Sequence, residues 1–377
     1  MLQKIKNIIK NNSFLGLLFI FALSILYFLI SLLLKKKKVI LFSSFSGRQY
    51  SDSPKVLYEQ IKSDSRFDDY KLIWAFNSPK DFPEIKDSVN INSFRFLMIL
   101  LSSKVWISNA SIEKLVPFKP KGTYYVNTWH GVPLKMLGPD EKSIALPIKL
   151  WYKHVKFDLF TSTSKYDFDL FQSIFPKIKH NLMVGLPRNY PISILKVHHR
   201  ELKEKFCKEN NLEKDVRLVL YMPTFREFTP TKKNELLTND VLNKIGKDTY
   251  LLVRAHYFEN IKLENKKVIN VSNEDLNQLM TLSDCLITDY SSVLFDYYYT
   301  EKPMYLYCYD LDEYIDYRGL YVNLIDSKKA YNIQGGELER VLTQEVEEFD
   351  VRDVITNFSM VENINIQEVV DTIYKNL

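Results

Sequence analysis

The sequence predicts a two-part α/β protein, with two successive Rossmann-like halves behind an apolar N-terminal helix. Three observations lead there. Apolar strand-like runs alternate with helical patterns along the chain, the alternation breaks once near Val184-Gly185-Leu186-Pro187-Arg188, and residues 13–34 form 22 consecutive uncharged positions. Alternation of this kind marks parallel strands joined by crossover helices, and 377 residues exceed the usual size of a single core.

The N-terminal stretch comes first. Residues 13–34, rich in Leu, Ile and Phe, are long enough at helical rise to cross the hydrocarbon core of a bilayer. Lys35-Lys36-Lys37-Lys38 follows directly and no small-residue cleavage site intervenes, so residues 1–38 are expected to be a retained membrane anchor with basic flanks. A helix lying in the membrane interface is the alternative, because Lys4, Lys6 and Lys10 make the other flank basic too. These seven lysines exceed the formal net charge of +5, which leaves about −2 (5 − 7) for the rest. The basicity therefore suits an anionic membrane, and no nucleic-acid-binding face is expected.

Residues 39–190 carry the first strand series, at 39–43, 71–76, 105–109, 124–128 and 159–162. Residues 191–377 open on a charged stretch and carry the second, at 217–222, 250–254, 267–271, 285–288 and 303–307, with helical patterns such as 274–281 between them and a closing helix over 365–377. The apolar fraction of 46% and 24 each of Tyr and Phe supply material for two cores and exclude a disordered chain. Cys207, Cys285 and Cys308 lack metal-ligand spacing and cannot all pair, which fits a reducing compartment, and the six scattered histidines form no zinc motif.

Four segments at strand ends could carry chemistry. Asp284 to Asp296 runs from an apolar strand through Thr288-Asp289-Tyr290-Ser291-Ser292 into a helical pattern, so Ser291 and Ser292 either cap that helix or offer hydroxyls to a diphosphate. Arg254-Ala255-His256 ends another strand and puts Arg254 and His256 on one face, able to share a phosphate. Pro223-Thr224-Phe225-Arg226 adds a turn, a hydroxyl and a cation after a third. In the first half, Asn127-Thr128-Trp129-His130-Gly131-Val132-Pro133-Leu134-Lys135 places His130 where the chain must turn. Its imidazole suits removal of a proton from an alcohol, with a hydrogen-bonded structural histidine as the alternative.

Taken together, these segments resemble the CDP-glycerol glycerophosphotransferase family, which builds teichoic acids and related polyol-phosphate polymers. The match runs through Trp129 to Lys135, Pro223 to Arg226, Arg254 to His256, Ile287 to Ser292 with Phe295-Asp296, Lys302-Pro303, Tyr309 to Tyr314, Arg318-Gly319 and the early Ser51-Asp52-Ser53-Pro54. One departure is Tyr257, where family members commonly have proline. The resemblance implies a GT-B-like fold, two Rossmann-like domains facing a central cleft, with residues 39–190 on the acceptor side and residues 191–377 binding the CDP donor. It implies donor contacts from Trp129, His130, Gly131, Val132, Pro133, Arg188, Pro223, Thr224, Arg254, Ala255, His256, Ser291, Ser292 and Asp296, with His130 and His256 catalytic. The implied reaction moves glycerol phosphate from CDP-glycerol to a lipid-linked saccharide or polyol-phosphate hydroxyl and releases CMP, on the cytoplasmic face of the cell membrane, with no cofactor and no metal. Asp310-Leu311-Asp312 belongs to the family's own pattern rather than to a metal-binding DxD. A priming enzyme is the favoured member type; a polymerase, a CDP-ribitol enzyme or a sugar-nucleotide glycosyltransferase are the alternatives.

Overall fold

The computed structural model describes residues 13–254, 265–326 and 330–377. Two compact units emerge. The first comprises the chain up to His130 together with Leu137–Tyr190 and Met360–Leu377, and the second comprises Gly131–Met136 and Pro191–Ser359.

The first unit is built on seven parallel strands: β1 Lys37–Ser43, β2 Lys71–Phe76, β3 Ser88–Asn90, β4 Ser103–Ser108, β5 Tyr124–Asn127, β6 Leu159–Ser162 and β7 Asn181–Met183. They lie in the order β3-β2-β1-β4-β5-β6-β7. Ile40, Phe42, Trp74, Phe76, Val105, Ile107 and Val126 form one buried cluster, closed by Leu57, Tyr58 and Ile61 of the helix Asp52–Lys62. Because these strands are covered, they read as continuous apolar runs rather than alternating ones. β3 and β7 are three residues each, too short to leave a periodic signal in the sequence.

The second unit repeats the plan with five parallel strands, β8 Arg217–Met222, β9 Thr249–Val253, β10 Val268–Asn270, β11 Cys285–Thr288 and β12 Met304–Leu306, in the order β10-β9-β8-β11-β12. Its core joins Val219, Tyr221, Leu251, Ile287 and Tyr305 to Leu338, Val341 and Leu342 of the helix Gly336–Thr343. Both orders grow outward in two directions from a central pair, β1/β4 and β8/β11, as in doubly wound sheets, and this is the GT-B-like α/β class that the sequence predicts. In such sheets ligands collect at the carboxyl ends of the strands where the order reverses.

The chain is divided differently from the sequence reading at two places. The closing helix, Ile366–Lys375, belongs to the first unit: Val369, Val370 and Ile373 enter its core, and the amides of Val361 and Asn365 donate to the carbonyls of Thr163 and Val184. Gly131–Met136 belongs to the second unit, where Met136 donates to the Gly319 carbonyl and Tyr321 to that of Leu134. Gly319, at φ +77°, is needed for this approach, since a Cβ there would lie 2.6 Å from the Met136 sulfur.

The apolar helix is Ser13–Leu33, of which Phe14–Leu33 is long and apolar enough to cross a membrane. Most of its surface is exposed, including Phe14, Phe21, Leu29 and Leu32. Tyr27 is buried, with its ring edge-on to Phe118 at 6.3 Å, and the helix packs on Phe94–Ser102 and Leu146–His154. Lys4, Lys6 and Lys10 lie outside the described residues.

Candidate active site

In the first unit the site grows from the ends of β1, β4 and β5. After β5 the chain reverses sharply: Trp129 takes φ +51° and Gly131 φ +146°, with His130 between them. A bulky residue in left-handed backbone costs about 1 kcal/mol or more and persists only where its surroundings enforce it. Here the Trp129 amide donates to Asn127 Oδ1 (2.9 Å), and the indole is buried among Tyr152, Phe171 and Phe175.

The His130 ring stacks on Trp129, centroids 4.5 Å apart, and meets Phe45 at 5.6 Å. Its Nδ1 lies 2.7 Å from the carbonyl oxygen of Asn109, at the end of β4. A carbonyl can only accept, so Nδ1 carries the proton and Nε2 is the basic nitrogen of the neutral ring. Asn109 is itself fixed, since its Oδ1 accepts from the Phe45 amide (2.8 Å) and its Nδ2 faces Ser44 Oγ (3.3 Å). Phe45 and Ser46 are left-handed as well, so the turn after β1 is held in an uncommon shape against the histidine.

Arg188 sits behind this turn. Its Nη1 donates to the His130 carbonyl (2.8 Å) and to Asp52 Oδ2 (3.0 Å), and its amide donates to Ser53 Oγ (3.1 Å). Both charged side chains are largely buried, and Asp52 has φ +64° at the start of its helix. Ser51-Asp52-Ser53-Pro54 thus reaches the histidine through one arginine. The sequence marks that motif without revealing the link, which joins residues far apart in the chain.

In the second unit the strand ends of β8 and β11 meet. The Thr224 amide donates to both oxygens of Asp289 (2.9 and 3.1 Å), and Thr288 Oγ1 donates to the Met222 carbonyl (2.6 Å). Arg226 is committed to structure: its guanidinium contacts Asp310 (2.6 and 2.8 Å), Asp289 (2.9 Å) and the Thr224 carbonyl (2.6 Å), boxed by the rings of Tyr290, Tyr309 and Tyr314. Burial works against this charge, yet the Asp289 and Asp310 carboxylates outweigh it and raise the guanidinium above its ordinary range. Asp310, the first carboxylate of Asp310-Leu311-Asp312, is thereby held in a buried ion pair.

Ser291 and Ser292 are half-buried just beyond β11, and Ser291 Oγ accepts from the Val293 amide (3.3 Å). The helix they open, Val293–Tyr297, is five residues long and carries the buried Asp296. So short a helix adds little dipole, and hydroxyls and amides carry the anion-binding capacity here. Pro223 is half-buried in the turn after β8, and the Thr224 hydroxyl is buried with no hydrogen-bond partner among the described residues. Arg254 closes β9, its Nη1 donating to the carbonyls of Val271 (3.1 Å) and Glu274 (2.7 Å), and burial lowers its guanidinium from the ordinary value. Val132 and Pro133 are buried in the second unit. Ala255 and His256 lie outside the described residues.

Comparison with known proteins supplies the family. Residues 25–332 match the family described as CDP-Glycerol:Poly(glycerophosphate) glycerophosphotransferase. The chain is 32% identical over 314 residues to a teichoic acid poly(glycerol phosphate) polymerase of Staphylococcus epidermidis, covering 77% of this chain and 43% of that one. A polymerase of the same description from Bacillus spizizenii is 32% identical over 323 residues, covering 79% and 81%. At 28% identity, 86% of this chain and 88% of the other align with a teichoic acid glycerol-phosphate primase of Bacillus subtilis. Among solved structures, the wall teichoic acid polymerase TagF superposes with a TM-score of 0.76 at 28% identity over 90% of this chain and 88% of that one. A histidine-to-asparagine variant of TagF soaked with CDPG gives 0.75 at 30% identity, over 91% and 90%. The chain therefore belongs to the CDP-glycerol:poly(glycerophosphate) glycerophosphotransferase family, a family of transferases whose named relatives act in teichoic acid synthesis.

Proposed function

We propose that this protein transfers glycerol phosphate from CDP-glycerol to a hydroxyl of a lipid-linked acceptor and releases CMP. The observation that carries the reading is the His130 ring, whose Nδ1 is tied to the Asn109 carbonyl so that Nε2 is the nitrogen able to take a proton. The acceptor oxygen attacks the phosphorus bearing glycerol in line, its proton passes to Nε2, and the bond to the CMP oxygen breaks. The leaving nucleotide gains negative charge, which Arg254, the Ser291 and Ser292 hydroxyls, Thr224 and, beyond the described residues, His256 are placed in sequence to offset. Family membership and the relatives named above support glycerol phosphate as the transferred group.

The N-terminal helix supports attachment to the membrane that holds a lipid-linked acceptor, and the need for a nucleotide-linked donor is the ground for assigning both units to the cytoplasmic face. Full-length protein in vesicles containing a lipid-linked disaccharide should release CMP from CDP-glycerol only when the acceptor is present. Release from CDP-ribitol or a sugar nucleotide instead would overturn the donor assignment. Product length on that acceptor separates a single addition from chain extension.

A further inference from the structure

Lys135 is the last residue of Trp129-His130-Gly131-Val132-Pro133-Leu134-Lys135 and has no role so far. It is half-buried on the short ladder that Leu134–Met136 makes with Gly319–Tyr321, and its backbone pairs with Leu320. Its ammonium makes no hydrogen bond or ion pair to any described residue. Among the described residues, the charges of Asp289, Arg318, Arg226 and Glu227 act on it. Asp289 is already bound by Arg226 and by the Thr224 and Tyr290 amides, and Arg226 is shared with Asp310. The fold therefore holds a partly desolvated cation, opposed by the charges of two others, without a contacting counterion among the described residues. Such an arrangement is costly in the free protein and becomes favourable when an anion joins it. A second observation points to the same occupant: the Thr224 hydroxyl, buried and without a hydrogen-bond partner among the described residues, belongs to the residue whose amide binds Asp289.

We propose that Lys135 is a further donor-binding residue, its ammonium taking a phosphate oxygen of the nucleoside diphosphate held at the ends of β8 and β11. The inference rests on the donor reading above. Burial depresses the ammonium to about 8, with Arg318 and Arg226 pushing the same way and Asp289 and Glu227 opposing. Its charge is thus lost as pH rises through about 8, and affinity for a diphosphate should fall with it. The interval from about pH 7 to 9.5 brackets that loss. Burial pushes the neighbouring Tyr290, Tyr309 and Cys308 upward, away from that range.

The test is calorimetric titration of CDP into full-length wild type, Lys135→Gln and Lys135→Arg across that pH range. Lys135→Gln should weaken CDP by roughly ten- to a hundredfold. Lys135→Arg should stay within about threefold at pH 7 and remove the decline above about pH 8 that the wild type shows, because arginine keeps its charge. Binding by Lys135→Gln within twofold of wild type, or an unchanged decline in Lys135→Arg, would overturn the proposal. If Lys135→Gln fails to fold, the pH profile of Lys135→Arg decides, since a structural role does not move that profile. Wild type that ignores CDP but binds another nucleoside diphosphate would sink the donor reading alone, and the same three-way comparison on that nucleotide would then judge Lys135. Wild type that binds no nucleoside diphosphate would sink both.

Discussion

The two units share one topology and place their candidate residues at the same carboxyl ends of the central strands, yet they hold those residues by different physics. Around His130 the ring meets a backbone carbonyl, an indole and a phenyl ring, on turns that carry three left-handed residues, Phe45, Ser46 and Trp129. At the ends of β8 and β11 the order comes from buried charge, with Arg226 joined to Asp289 and Asp310 inside a box of tyrosines. A base that must gain a proton is best oriented by groups that do not fix its charge in advance. A site for a polyanion is best kept rigid by charges already satisfied, leaving amides, hydroxyls and spare cations to meet the ligand.

That contrast can be broken in order of expected effect. Arg226→Met leaves two buried carboxylates unpaired and should cost roughly 3–5 kcal/mol of stability, read by urea unfolding of the full chain; a loss under about 1 kcal/mol would mean that the charge cluster does not organise the second unit. Asp52→Ala removes a carboxylate partner of Arg188 and should cost about 1.5–3 kcal/mol and lower kcat more than it raises KM. Asp52→Gly separates two causes, since it loses the same ion pair but relieves the left-handed backbone at φ +64°, and should be less destabilised than the alanine variant by about 1 kcal/mol. Equal stability of the two would show that the backbone there is unstrained. Thr224→Val has the smallest and most telling effect. Removing a hydroxyl that bonds to none of the described residues should leave thermal stability unchanged or slightly raised while KM for CDP-glycerol rises about three- to tenfold. A clear drop in stability would assign that hydroxyl to the fold.

Much of this frame can be read from the residues. β2, β6, β8 and β11 have the limits that their apolar runs suggest, because a covered parallel strand is written as an uninterrupted apolar segment with polar residues at its end. His130, Thr224 and Ser291 are recognisable for the same reason, as polar residues that follow such runs. What the residues do not reveal depends on distant partners. Arg226 reads as a cation free for a ligand, yet it is spent on Asp289 and Asp310, dozens of positions further on. Asn109 acts through a backbone carbonyl, which no side-chain pattern encodes. The closing helix follows the second sheet in sequence but packs on the first, because amphipathic spacing states that a helix has an apolar face and not which core receives it.

The division of labour itself is tested most directly by His130→Ala, measuring acceptor-dependent CMP release and CDP-glycerol binding on the same folded sample. Loss of a positioned base predicts a fall in transfer of roughly 10²–10⁴-fold with donor binding within a few-fold of wild type. Transfer that persists near the wild-type rate in His130→Ala would contradict the assignment of the proton to this ring.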